Sequence, residues 1–256
     1  MYTETSILLC ILILVILLYL LYLYYKYNKT DYSYKVGSTT CIVMIGDKKT
    51  KDYYLISIMA NMQYCKKHKL DFHAKIGRVL SENEYAPHFD RYAFCLKKLE
   101  DEKYENVLYI DCDACVQKRS KNDSINKYIK KLNESSKSIL ASYDFTDSRS
   151  CLLNSGVLLI KNTKIGKDFC KSVLLRYPEC HIKGCWCGFD NQTKFKDQCV
   201  IEKLTEFHKH ILLVPRNTLQ CLAPSDRELD ESNAFIMHLA GNNKKDRVVK
   251  MSRVCM

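Results

Sequence analysis

Acidic side chains are in short supply. The chain carries 29 aspartates and glutamates against 40 lysines and arginines, a formal charge of +11 over 256 residues. Such an excess suits anionic ligands such as nucleotide diphosphates or membrane surfaces. The basic residues fall in scattered pairs, among them Lys48-Lys49, Lys66-Lys67 and Lys130-Lys131, with no stripe and no arginine cluster. The tyrosines do not alternate with arginines in an RNA-binding pattern, so nucleic acid is set aside as a partner. Internal repeats and low-complexity segments are also missing, which leaves one α/β domain of about 215 residues as the simplest account. Cys180, His181, Cys185 and Cys187 lie close together, but no second Cys-x-x-Cys pair completes a familiar structural zinc site. A loop disulfide or reduced core thiols are expected there instead. Of the 14 cysteines one lies in the first apolar run; the remaining number is odd, so they cannot all pair within one chain.

Charge is wholly absent from Ile7 to Tyr25. At ~1.5 Å per residue this run spans roughly 28 Å as a helix, close to a hydrocarbon core of about 30 Å. Tyr19, Tyr22, Tyr24 and Tyr25 gather at its end, where an aromatic belt meets headgroups. No small-residue cleavage site follows, so a permanent anchor over residues 7–25 is expected rather than a cleaved signal peptide. Residues 1–38 are read as anchor plus short stem, and 39–256 as the catalytic domain. Lys26, Lys29 and Lys35 after the helix favour a cytosolic domain by the positive-inside rule. Sequons at Asn28, Asn122, Asn133 and Asn191, with the many cysteines, favour a secretory lumen. The reading taken is a single-pass Golgi or ER type II protein with a lumenal domain, the cytosolic orientation staying open.

The domain opens with an apolar strand at Cys41–Ile45, a helical period over residues 52–68 and a second strand at Leu70–Ile76. This β-α-β order favours a parallel sheet. A helix over residues 90–99 leads to a central strand at Asn106–Ile110. Further helices are expected at 124–132, 165–176 and 196–209, and further strands at 138–143, 156–160, 211–214 and 234–238.

The chemistry is concentrated in Val107-Leu-Tyr-Ile-Asp111-Cys-Asp113-Ala. A buried strand ends and two acids follow at i and i+2. Ligands of open α/β sheets gather beyond the carboxyl ends of strands. Two carboxylates placed there repel unless a cation lies between them, and a hard divalent ion can bridge them to a diphosphate. Acids also close strands as simple caps, so the neighbouring motifs decide.

Those motifs resemble the GT-A nucleotide-sugar transferases, in particular the galactosyl/xylosyltransferase group. Leu108-Tyr-Ile-Asp-Cys-Asp-Ala114 is similar to that group's strand and Asp-Ser-Asp-Ala. Asn154-Ser-Gly-Val-Leu-Leu-Ile-Lys-Asn162 is similar to its Asn-x-Gly-Val-Phe-Leu-Ile-Arg-Asn, Asp197-Gln198 to its Asp-Gln, and His238-Leu-Ala-Gly241 to its His-Phe-x-Gly. Asn61–His68 resembles its first helix. The matches keep order over residues 40–247. The resemblance implies a mixed, mostly parallel GT-A sheet flanked by helices. It also implies transfer of a hexose or pentose from a nucleotide-diphosphate sugar to a glycan or glycoprotein, with retention. Asp111, Asp113 and His238 would hold manganese or magnesium. Arg91 and Lys244 or Lys245 would meet phosphate, Asn154, Ser155 and Gly156 would line the sugar pocket, and Gly241 would also bind substrate. Asp197 and Gln198 would face the anomeric carbon. Cys112 stands where the group usually has serine, Arg91 where lysine is commoner, and residues 180–195 have no counterpart. Haloacid-dehalogenase-like phosphatases offer a rival Asp-x-Asp, but theirs falls on the first strand and is followed by a later paired-acid motif absent here. A catalytically inactive, sugar-binding membrane protein is the other alternative.

Overall fold

A computed structural model describes residues 4–28, 30–81, 85–101, 104–144, 152–183, 197–222, 224–241 and 243–255. The chain forms two compact units, Met1–Asp31 and Tyr32–Met256. The first consists essentially of helix α1 (Glu4–Asn28). From Leu8 to Leu21 its large apolar side chains are about half exposed, Leu8 at 65% and Leu21 at 61%. The anchor expected over residues 7–25 is only partly matched. The helix is there, but among the described residues no helix is long and apolar enough to cross a membrane.

The second unit is built on a seven-stranded sheet in the order β1-β3-β2-β4-β7-β6-β8. Its strands are β1 (Asp31–Tyr34), β2 (Thr40–Gly46), β3 (Asp71–Ile76), β4 (Asn106–Ile110), β6 (Ile139–Ser142), β7 (Asn154–Lys161) and β8 (Ile211–Val214). A smaller sheet, ordered β5-β10-β9, is made of β5 (Ala114–Val116), β9 (Gln220–Leu222) and β10 (Ile236–His238). Strand β2 pairs parallel with β3 and β4, whereas β7 runs antiparallel between β4 and β6. The sheet is therefore mixed, with its reversal beside the strand that carries the two acids.

Helices cover both faces. These are α2 (Lys51–His68), α3 (Asp90–Glu100), α4 (Asn126–Glu134), α5 (Lys164–Lys183), α6 (Asp197–Lys203), α7 (Thr205–His208), α8 (Arg216–Leu219), α9 (Asp226–Glu231) and α10 (Lys244–Cys255). Alternate residues of each central strand serve opposite cores. Val43, Val107, Tyr109 and Leu158 pack with Tyr92, Leu99 and Phe169 on one side. Ile42, Met44, Leu108 and Leu159 pack with Tyr54, Ile58 and Tyr64 on the other. Burial on both faces explains why these strands read as unbroken apolar runs.

The segment read as a stem is partly built into the sheet. Strand β1 forms its edge, and the buried Asp71 carboxylate accepts from the amides of Val36, Gly37 and Ser38 at 2.7, 3.0 and 3.2 Å. The helix expected over residues 196–209 is broken at Leu204, whose ψ of 57° lies outside the helical range. Cys185, Cys187 and the Asn191 sequon lie outside the described residues. Asn133 is exposed in the last turn of α4.

Candidate active site

The two acids sit where β4 ends, in a turn held by main-chain bonds from three directions. The Asp111 amide donates to Gly156 O at 2.8 Å, the Ala114 amide to Asp111 O at 3.0 Å, and the Leu239 amide to Asp113 O at 2.9 Å. The antiparallel pairing of β5 with β10, with Ala114 opposite His238, brings the late histidine to the acids. The Nε2 atom of His238 lies 3.3 Å from Asp113 Oδ1 and 3.6 Å from Asp111 Oδ2. One ligand atom from each of the three residues falls within 4.8 Å of the others. Room for the ring exists because residue 156 is glycine. A Cβ there would overlap His238 Cε1 and stand 2.7 Å from Nδ1 and 2.8 Å from Asp111 Oδ2.

Arginines balance the acids. Nη2 of Arg91 is 3.1 Å from Asp111 Oδ1 and Nη1 is 3.6 Å from Asp197 Oδ2. Nη1 also donates to the backbone oxygen of Ser155 at 2.8 Å, while Nε is buried without a hydrogen-bond partner. Tyr109 donates to Asp111 Oδ1 at 2.6 Å, and Tyr92 to Asp197 Oδ2 at 2.5 Å. Arg247 places Nε 3.3 Å from Asp113 Oδ2, donates from Nη1 to Tyr53 at 3.1 Å, and lies over the Tyr53 ring.

The proton affinities follow from these contacts. Burial works against the charge on Asp113, but His238 and Arg247 outweigh it and hold the carboxyl below its ordinary value. Burial also disfavours a charged His238, yet Asp113 and Asp111 raise its affinity for a proton overall. For Asp197 burial is outweighed by Arg91, His88 and the hydroxyls of Tyr92 and Ser155, so it too is held low. The Cys112 thiol is pushed up by burial and by Asp113 and Asp111, which keeps it neutral between the two carboxylates.

A cleft opens over this cluster, lined by Asp47, Thr50, Tyr53, Arg78, His88, Arg91, Asp111, Asp113 and Arg247 among others. Among the residues singled out in the sequence, Arg91, Asp111 and Asp113 line it. Asn154, Ser155 and Asp197 are buried around Arg91 and His238. Gln198 donates to Leu153 O at 2.8 Å. Gly241, at φ 78°, makes the turn after β10. The Lys244 ammonium pairs with the exposed Asp52 at 2.7 Å. Arg247, Tyr53 and Gln220 were not singled out. They lie on α10, α2 and β9 in stretches without a local motif, and only the fold collects them.

No protein-family model matches the chain, and no curated protein matches it in sequence. Solved structures do. One is a glycosyltransferase involved in the glycosylation of the major capsid of PBCV-1, 21% identical, with a TM-score of 0.65 over 83% of this chain and 98% of that one. Another is the glycosyltransferase GlyE of Streptococcus pneumoniae, 14% identical, with a TM-score of 0.53 over 84% of this chain and 60% of GlyE. The chain has a GT-A-like glycosyltransferase fold. Its candidate site is an Asp-Asp-His cluster at the carboxyl end of the central strand.

Proposed function

We propose that the chain is a divalent-metal-dependent glycosyltransferase that moves a hexose or pentose from a nucleotide-diphosphate sugar to a glycan or glycoprotein acceptor. The convergence of Asp111, Asp113 and His238 carries this reading. Two hard oxygen donors and an imidazole nitrogen suit manganese or magnesium, and the ring's other nitrogen is engaged by Gln220 at 2.9 Å. A cation held there supplies positive charge against the diphosphate of the donor.

The protein's own groups divide the remaining work. Arg247, on the cleft wall, takes the diphosphate-facing role expected of Lys244. Arg91 holds Asp111 and Asp197 in one frame and keeps one donor, Nε, unspent beside the cleft. Asp197, kept ionised, serves as the carboxylate that faces positive charge developing at the anomeric carbon. Asn154, Ser155 and Gly156 serve as the sugar-facing edge. Retention rests on the resemblance of Asp197-Gln198 to the Asp-Gln pair of a retaining group.

The phosphatase alternative loses ground on topology. The Asp-x-Asp follows β4, not the first strand, and among the described residues Asp111, Asp113 and His238 form the one cluster suited to a metal. The test is a donor panel measuring released nucleoside diphosphate with and without manganese. Metal-dependent release from one donor is expected. Absence of turnover and of donor binding would remove the enzyme reading, and binding without turnover would favour the inactive sugar binder.

Membrane attachment through α1 is part of the same reading, supported by the charge-free run of residues 7–25. A lumenal domain is supported by the Cys115–Cys255 disulfide, since such bonds persist in oxidising compartments. Carbonate extraction with and without residues 1–29 tests the attachment. An endoglycosidase shift that Asn133→Gln reduces tests the orientation.

A further inference from the structure

Gln220 is fully buried, and its side-chain amide spans the gap between the metal-ligand cluster and Asn154. Its Oε1 lies 2.9 Å from His238 Nδ1, and its Nε2 donates to Asn154 Oδ1 at 3.2 Å. Asn154 Oδ1 also accepts from the Gly156 amide at 3.0 Å, and Asn154 Nδ2 donates to Asp144 Oδ1 at 3.4 Å. The register explains the reach. Gln220 pairs with Ile236 in parallel strands, so its side chain shares a face with that of His238 two residues on.

The direction of every bond in this chain is fixed from one end. The Gly156 main-chain amide can only donate, so the Asn154 carbonyl oxygen must face it, which turns the Asn154 NH2 toward Asp144. The same Asn154 oxygen also faces Gln220, which must offer NH2 in turn. The Gln220 oxygen is left for the imidazole, and an oxygen requires the proton on Nδ1. The lone pair of His238 is thereby directed from Nε2 toward Asp111 and Asp113. We propose that Gln220 is a positioning residue that fixes the metal-binding tautomer and orientation of His238 and couples both to Asn154. This deepens the proposed function and rests on it.

Manganese itself is the probe, titrated into the full chain in detergent without any donor and followed by electron paramagnetic resonance. Gln220→Met fills similar space with no hydrogen bond and is expected to weaken manganese binding about 10–100-fold, the usual effect of losing such an outer partner. Gln220→Glu still accepts from Nδ1–H but cannot donate to Asn154. It is expected to retain manganese affinity better than Gln220→Met. Asn154→Ala removes no ligand atom, yet is expected to weaken manganese binding several-fold. Combined with Gln220→Met it should add little, because both act through one chain of bonds. Thermal unfolding checks each variant, and if Gln220→Met fails to fold, Asn154→Ala and Gln220→Glu carry the test. Wild-type manganese affinity in both Gln220→Met and Asn154→Ala, or independent additive losses, would overturn the coupling while leaving the enzyme reading intact. A wild-type chain that binds no manganese would overturn both.

Discussion

Replacing Gly156 by alanine adds one methyl group and should disable the site. The new Cβ would overlap His238 Cε1 and crowd Nδ1 at 2.7 Å and Asp111 Oδ2 at 2.8 Å. Carbon contacts relax at about 3.5–4.0 Å, so the ring or the strand must yield by more than about 1 Å. Neither moves freely. His238 is 3% exposed, its strand is paired on both sides, and its Nδ1 is held by Gln220. Overpacking of this kind costs about 1–3 kcal/mol of stability. The functional loss should be larger. A misplacement of about 1 Å can reduce turnover on the order of 100-fold. Urea unfolding, manganese titration and nucleoside diphosphate release, run on the same preparation, separate the two effects. A folded Gly156→Ala protein with wild-type manganese affinity and turnover would refute the argument that the glycine makes room for the ring.

Asp113→Ala is expected to abolish manganese-dependent turnover while the fold, checked by circular dichroism, is retained. Unchanged turnover would remove Asp113 from the site. Arg247→Met should raise the KM for the donor about tenfold or more by removing a charge-assisted contact from the cleft wall; an unaltered KM would refute its cleft role. Manganese affinity should rise with pH across and above about 6.5, since the raised His238 proton must leave before Nε2 can bind. The metal-free fold should behave oppositely. A raised folded-state value stabilises fully below the unfolded-state value of about 6.5, and that contribution is lost as pH climbs through the folded-state value. Melting temperatures at pH 6 and pH 8, with and without manganese, check both signs.

Much of this site was legible because it obeys local rules. The run Val107–Ile110 is apolar since both its faces are covered, and Asp111 stands at the first position past it. Period alone also located β2, α2, β3, α3 and β4 to within a residue or two. Of the smaller sheet only β10 falls on an expected strand, and β5 and β9 escaped notice for a physical reason. Strands β5 and β9 are three residues each, too short to show alternation, and they are specified by their neighbours. Helix α10 is mostly polar. Its burial depends on Met251, Val254 and Cys255, and the third of these is disulfide-bonded to Cys115. Arg247 and Gln220 belong to these two regions, so their roles appear only when distant segments meet.

The bond between Cys115 and Cys255 joins residues 140 apart. It closes a covalent ring that begins two residues after Asp113 and takes in Asn154, Asp197, Gln220, His238 and Arg247. A protease that cuts one peptide bond inside this ring releases nothing, for the two pieces stay tethered until a reductant is added. Intact mobility on a non-reducing gel therefore does not certify an uncut chain, and a nicked molecule can retain every group of the site.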